Sequence, residues 1–575
     1  MPDGFTLSDI NHILAVKGCL ILFLLCGLGI IWKKLKPIWF LLLTSTLAAA
    51  SYAIFVDNLG LMFWGLAGDE ITIAAMYESF AHGGFFTDFA YADFPAFYPP
   101  LFFWIFAIPG RMFDWNGIQM AKVGSLVSIF LFPLIVYGAQ SLYWKYEKKK
   151  ESIVSSPILW MLIPLIIWIF IDWDAMILKP YEVATGPFSV LWMYFLIRDF
   201  TRKTLSWKRV LAYGCSGGLI FMTYYLWMIF VGIAIALRGL WVSKKEVWFF
   251  YSRLMMVGGL VLFFSLPYLG PLVWTYHVNG SENWQFILMY AKSISYHAEM
   301  FSVISWRGFL MFVGFVSLIF FWKKEFIRTA LLIFLATYVW QAMGFATIFF
   351  SATPIQESKG FYILGRTALA CGLAYGLVWL WNFLENKKYT FNWQRPALTV
   401  ALVFLSTHMI FGFFIDDPLV QIRRVQSRGS RETVAELVTF LQNDGMRGRQ
   451  VRTLHAGISE LHAYVPMNAY IYFNQHNSHP AALFSERYAF VHQLSRSSNA
   501  KEFYGLSTNA WFGSIDRYIL FKKEDLDYYP LYFHLDNFPH GAKDVIMRVP
   551  KDLISNMYFE TVFENGEFIV WDRRI

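Results

Sequence analysis

Asp69 and Glu70 follow Gly68 directly before an apolar run. A carboxylate at such a mouth is partly desolvated, which raises its pKa and suits it to taking a proton from a hydroxyl. The same two acids also suit the first turn of a helix beginning at Ile71, where the helix dipole favours negative charge; both roles can hold together. Downstream come His82-Gly83-Gly84, Asp88, Asp93 and the run Phe97-Tyr98-Pro99-Pro100-Leu101-Phe102-Phe103-Trp104. Within residues 57–120, Asp69, Glu70, Glu78, Asp88, Asp93 and Asp114 face a single Lys or Arg, Arg111. An acidic, aromatic-rich segment suits a sugar, because carboxylates bond hydroxyls and aromatic faces pack on the ring. Asp88 and Asp93 are expected either as turn residues or as contacts to a substrate or a divalent cation such as Mg²⁺ or Mn²⁺.

Basic residues elsewhere could meet a phosphate. Lys179, Lys359 and Arg366 stand at the ends of apolar runs, and an arginine fork matches phosphate bidentately; the plain alternative is an interfacial side chain reaching for water. Near the C-terminus, His476, His479, Glu486 and Arg487 lie around Ser478-His479-Pro480. They are expected either to close a site from above or hold an acceptor, or to form a loop with a helix beginning near Ala481 and a Glu486–Arg487 pair.

The elements that position these residues follow from composition. The chain has 575 residues, 57% apolar, 20% aromatic and 15% charged, a balance that excludes a soluble globule, a coiled coil and a disordered tract. The net charge of +8 sits in short clusters between apolar runs, a topology signal and not a nucleic-acid surface. Candidate spans run near 12–32, 38–56, 121–143, 156–172, 183–197, 254–274, 306–322, 327–349, 362–384 and 396–415. The stretch 210–237 has basic residues at both ends and reads as two short helices turning at Thr223-Tyr224-Tyr225. That predicts about 12 crossings. The Lys/Arg-rich loops are assigned to the cytoplasm, which leaves 57–120 outside as a large catalytic loop. Pro99-Pro100 bars a continuous helix, so Leu101–Phe113 is expected to be interfacial or re-entrant.

Residues 416–575 are more polar and are read as an extracytoplasmic α+β domain following a transmembrane module of residues 1–415. Ser430 with Thr433–Leu441 predicts a capped amphipathic helix; 450–454, 518–521 and 567–571 predict strands. Cys19, Cys26, Cys215 and Cys371 all fall in apolar stretches and read as fillers without disulfides. P-loop, HExxH and CxxC patterns do not occur, so nothing supports a nucleotide-driven pump or a zinc protease.

A large outer loop with an early carboxylate, many spans and a C-terminal outer domain resembles the GT-C glycosyltransferases. The segment Phe97–Trp104 resembles the N-terminal module of the arabinofuranosyltransferase A family, as do Asn477-Ser-His-Pro-Ala-Ala-Leu-Phe-Ser-Glu-Arg487 and Asp536-Asn-Phe-Pro539 in the tail. The resemblance implies a bacterial inner-membrane enzyme that moves D-arabinofuranose, with inversion, from a polyprenyl phosphate to cell-wall galactan. It implies Asp69 as base, Glu70 as a supporting ligand and Tyr98 and Trp104 as pocket walls. Lys179, Lys359 and Arg366 would meet the donor phosphate, and no resident metal or cofactor is assigned. Alternatives are a pilin or other glycan acceptor, or another lipid-linked sugar such as aminoarabinose or a hexose. A transporter with an outer domain would instead place ionisable residues deep in mid-span and show inverted repeats. Neither is visible.

Overall fold

The computed structural model describes residues 7–31, 36–57, 59–62, 69–145, 153–171, 173–200, 206–240, 247–282, 298–351, 355, 359–386, 427–444, 450–537, 540–554 and 557–574. Its membrane module contains α1 (Leu7–Ile31), α2 (Pro37–Val56), α3 (Asp69–Glu78), α4 (Leu101–Phe113), α5 (Gly117–Lys145), α6 (Pro157–Phe170) and α7 (Trp173–Leu178). There follow α8 (Pro180–Phe200), α9 (Trp207–Tyr224), α10 (Leu226–Gly239), α11 (Val247–Asn279), α12 (Trp306–Phe320), α13 (Glu325–Ser351) and α14 (Arg366–Asn386). Helices occupy every expected span except 396–415, which lies outside the described residues. Among the described residues, five helices are long and apolar enough to cross a membrane: Pro37–Val56, Gly117–Ser141, Val247–Asn279, Glu325–Ser351 and Phe361–Leu384.

Two local expectations have clear counterparts. The stretch 210–237 breaks at Tyr225 into α9 and α10. Helix α4 starts after Pro100 and stops at Asp114, whose φ of 54° is left-handed. With thirteen residues, α4 is roughly 20 Å long, too short to cross a hydrocarbon core of about 30 Å. It buries Phe102, Phe103, Phe106 and Ala107 and exposes Ile105, Ile108, Met112 and Phe113, as an interfacial helix would.

The C-terminal region is α+β. A five-stranded sheet, ordered β2-β1-β3-β7-β6, is built from β1 (Arg452–His455), β2 (Asn468–Ala469), β3 (Arg517–Phe521), β6 (Phe559–Glu564) and β7 (Phe568–Arg573). A separate hairpin joins β4 (Tyr528–Asp536) and β5 (Ala542–Pro550). The strand period of two divides β3 between two cores: Tyr518 and Leu520 pack with Tyr470 and Phe490, while Ile519 packs under the helix Glu432–Asn443 through Leu437. Ser430 does not cap that helix; its hydroxyl meets Tyr464 at 2.9 Å, and Arg431 is the residue before the first turn.

This region is tied to the loop after α3. Ala469 donates its amide to the Ala90 carbonyl (2.7 Å), and Tyr91 bonds Ser478 (2.8 Å) and accepts from the Tyr472 amide (2.9 Å). Ala463, Tyr472 and Ala482 join the same apolar core as the membrane helices. Gly117 sits at the junction: a Cβ there would stand 2.1 Å from the Ala74 carbonyl oxygen and 2.9 Å from that of Ala463. Only glycine lets α5, α3 and the 461–463 turn approach so closely.

Candidate active site

Helix α3 is buried from Glu70 to Glu78, and its periodicity decides which side chains reach open space. Asp69, Thr72, Ile73 and Met76 recur on one face and line a cavity of about 590 Å³. Glu70, one residue on, turns about 100° away from that face. It is buried on the side of Tyr52 and does not line the cavity.

Four charges alternate along the cavity wall. Lys179 Nζ is 2.5 Å from Asp69 Oδ2 and 3.9 Å from Glu182 Oε1, and Lys359 Nζ is 2.9 Å from Glu182 Oε2. Local sequence explains the two middle charges. Lys179 lies between the end of the short α7 at Leu178 and the fixed start of α8 at Pro180, so Glu182 falls in the first turn of α8 three residues later. Tyr98 closes the row, 3.2 Å from Tyr181 Oη and 3.3 Å from Glu182 Oε1. From above, the turn Gln475–Asn477 brings His476 and Asn477 to the rim. The remaining wall is apolar and aromatic, with Tyr224 and Tyr225 at the α9–α10 break, Tyr268 and Leu272 on α11, and Trp340 on α13.

The electrostatics differ from the expectation for Asp69. Burial by itself raises its carboxyl, but Lys179, with help from Lys359 and His476, outweighs it and holds the group below the usual carboxylate range. About half of the side chain (49%) still opens to the cavity. Lys179 is disfavoured by burial yet held above the ordinary lysine range by Glu182 and Asp69. Lys359 goes the other way: burial and the neighbouring Lys179 lower it against the pull of Glu182. The site therefore keeps an ionised Asp69 beside a cationic Lys179.

Five expected site residues, Asp69, Lys179, Lys359, Tyr98 and His476, thus share one cavity. Eight lie elsewhere. Arg366 holds Glu299 with both nitrogens (3.1 and 2.8 Å) and the Phe170 carbonyl (3.0 Å), which fixes its fork away from the cavity. Asp88 is buried and accepts the Ala90 and Tyr91 amides (2.9 and 3.1 Å), shaping a turn. Asp93 pairs with Arg452 at 2.5 Å. Trp104 stacks on Phe85 with centroids 4.9 Å apart. His479 accepts from the Ala481 amide (3.0 Å), reaches the Pro95 carbonyl (3.0 Å) and stacks on Phe94; burial pushes it down to about 3. Arg487 does not pair with Glu486: it donates to the Ala482 and Tyr470 carbonyls (2.6 and 2.5 Å), while Glu486 is exposed. Glu70 completes the eight.

Sequence alone does not mark Glu182 and Tyr224 as site residues. The signal for Glu182 is an acid heading an apolar helix three residues after a lysine; Tyr224 reads only as part of a turn. Gly68, Phe538 and Pro539 lie outside the described residues. Among the described residues, no group of three His, Cys, Asp or Glu side chains is placed to hold a metal ion.

No family model matches the chain, and no curated protein sequence matches it. Among solved structures, ArnT from Cupriavidus metallidurans in the apo state matches with a TM-score of 0.51 and 12% identity, over 92% of this chain and 96% of that one. The archaeal oligosaccharyltransferase AglB from Archaeoglobus fulgidus, in complex with an inhibitory peptide and a dolichol-phosphate, has a TM-score of 0.47 and 11% identity over 90% and 79%. The ArnT match carries the fold alone: a polytopic helical membrane protein with a C-terminal α+β domain.

Proposed function

We propose that this chain is an inverting membrane glycosyltransferase that moves D-arabinofuranose from polyprenyl-phospho-arabinofuranose to a cell-wall galactan. It would act at the outer face of a bacterial cytoplasmic membrane. The observation that carries the reading is the cavity in which a half-open carboxylate, two lysines and an aromatic, apolar wall meet. The acceptor hydroxyl loses its proton to Asp69 as its oxygen bonds the anomeric carbon. On the opposite side, the bond from the anomeric carbon to the phosphate oxygen breaks, and its electron pair leaves with polyprenyl phosphate. Lys359 and Lys179 offset that charge in a site of low dielectric, where fixed cations act strongly. The isoprenoid lies along Tyr268, Leu272 and Trp340. The sugar itself rests on the sequence resemblance.

The test is transfer by purified protein in nanodiscs, using labelled polyprenyl-phospho-arabinofuranose and a short galactofuranose oligosaccharide, with Asp69→Asn in parallel. Product from the wild type and none from the variant, which still binds donor, is the expected result. Donor binding without product moves the acceptor to a pilin or another glycan. No donor binding by folded protein overturns the arabinosyl assignment in favour of another lipid-linked sugar.

A further inference from the structure

A second cavity, of about 890 Å³, opens at the other end of α3 and on its opposite face, between the 78–85 segment, the end of α4 and the C-terminal region. Its floor is Glu78, which is 3% exposed. Glu78 Oε1 lies 2.9 Å from His82 Nδ1. Burial raises its carboxyl above the ordinary carboxylate range, against the pull of His82 and of the Gly117 amide, and no geometrically formed hydrogen bond reaches the buried Oε2. A buried carboxylate oxygen left this way costs free energy unless something supplies a donor. His82 Nε2 stands 3.7 Å from Asp114 Oδ1, Arg111 lines the same rim, and Phe85 and Tyr464 form aromatic walls.

The chemistry of this set selects a ligand class. The acids Glu78 and Asp114 repel a phosphate, and Arg111 with His82, whose pKa is raised by its bond to Glu78, repels a cation. Acceptors and donors alternate beside two rings, which suits hydroxyl groups and the C–H face of a sugar. We propose that this cavity is a second saccharide-binding site, taking a neutral oligosaccharide, with Glu78 Oε2 accepting from one sugar hydroxyl. It does not rest on the transferase reading, since α3 separates it from Asp69 by roughly 13 Å of helix.

Calorimetric titration of the intact chain in nanodiscs with a galactofuranose tetrasaccharide, maltotetraose and chitotetraose tests this directly. At least one is expected to bind, Glu78→Gln to weaken it about tenfold, and the rim pair Arg111→Met with Asp114→Asn to weaken it similarly. The rim residues are exposed, so that double variant keeps the core intact. Asp69→Asn is expected to leave this affinity unchanged. Failure of all three sugars to bind overturns the proposal. So does affinity that both sets of variants leave within about twofold of wild type, and so does binding that Asp69→Asn abolishes.

Discussion

Asp69–Lys179 and Asp93–Arg452 are acid–base pairs whose acids come from one stretch of chain, both 2.5 Å apart, each with a half-exposed or more exposed acid. Their surroundings separate them. Asp69 borders a cavity with a second lysine and an aromatic wall, whereas Asp93 sits on the seam where the 84–97 segment meets the C-terminal region. The pair alone carries no chemistry. Open space beside it, and a neighbouring charge not cancelled by it, distinguish a site from a clasp.

The sharpest way to break this comparison is to neutralise each acid. Asp69→Asn should lower transfer by about 10²–10⁴-fold, the usual contribution of a general base, with the fold intact. Asp93→Asn should leave kcat within a few-fold. Equal losses in both, measured as initial rates, would erase the distinction.

The lysines come next. Lys359→Met should weaken binding of polyprenyl phosphate about tenfold or more, since it removes a cation and leaves the buried Glu182 short of a partner. Lys179→Met removes the charge that outweighs burial at Asp69, so the Asp69 pKa should rise and the acid limb of the rate profile should move to higher pH. An unmoved limb would mean that Asp69 is not the titrating base.

Acid stability probes the seam. Burial holds His479 neutral down to about 3, whereas an unfolded histidine takes up its proton near pH 6.5. A depressed folded pKa means the unfolded state binds the extra proton first, so stability is lost as pH falls from about 6.5 toward 3. His479→Gln should flatten that decline in Tm; an unchanged slope would place the acid sensitivity elsewhere, His455 being the next candidate, pushed down to about 4 by burial. The smallest effect belongs to Asp93–Arg452, where a double-mutant cycle should give about 0.2–1 kcal/mol of coupling.

Legibility followed the same divide. Helix positions, the break at Tyr225 and the α4 boundaries could be read because hydrophobic period, basic flanks and proline act locally. Asp69, Lys179 and Lys359 were readable as charges at the ends of apolar runs. What stayed hidden were partners distant in sequence: Arg452 lies 359 residues from Asp93, and Glu299 lies 67 from Arg366. Residue type marks an arginine as able to grip phosphate, but only the folded chain reveals that a carboxylate has already taken its fork. The same applies to Asp88, whose oxygen is occupied by two amides.

Helix α4 acts as a float. Ile105, Ile108, Met112 and Phe113 point outward from a short rod that cannot cross the bilayer, so they set the waterline against which everything beside them is levelled. In the proposed reaction, the lipid-borne donor then drifts in sideways through the oily layer, while the water-borne acceptor descends from above. Shaving α4 of its greasy underside would leave every polar contact in place and still mis-seat the protein, like a boat riding too high at its mooring.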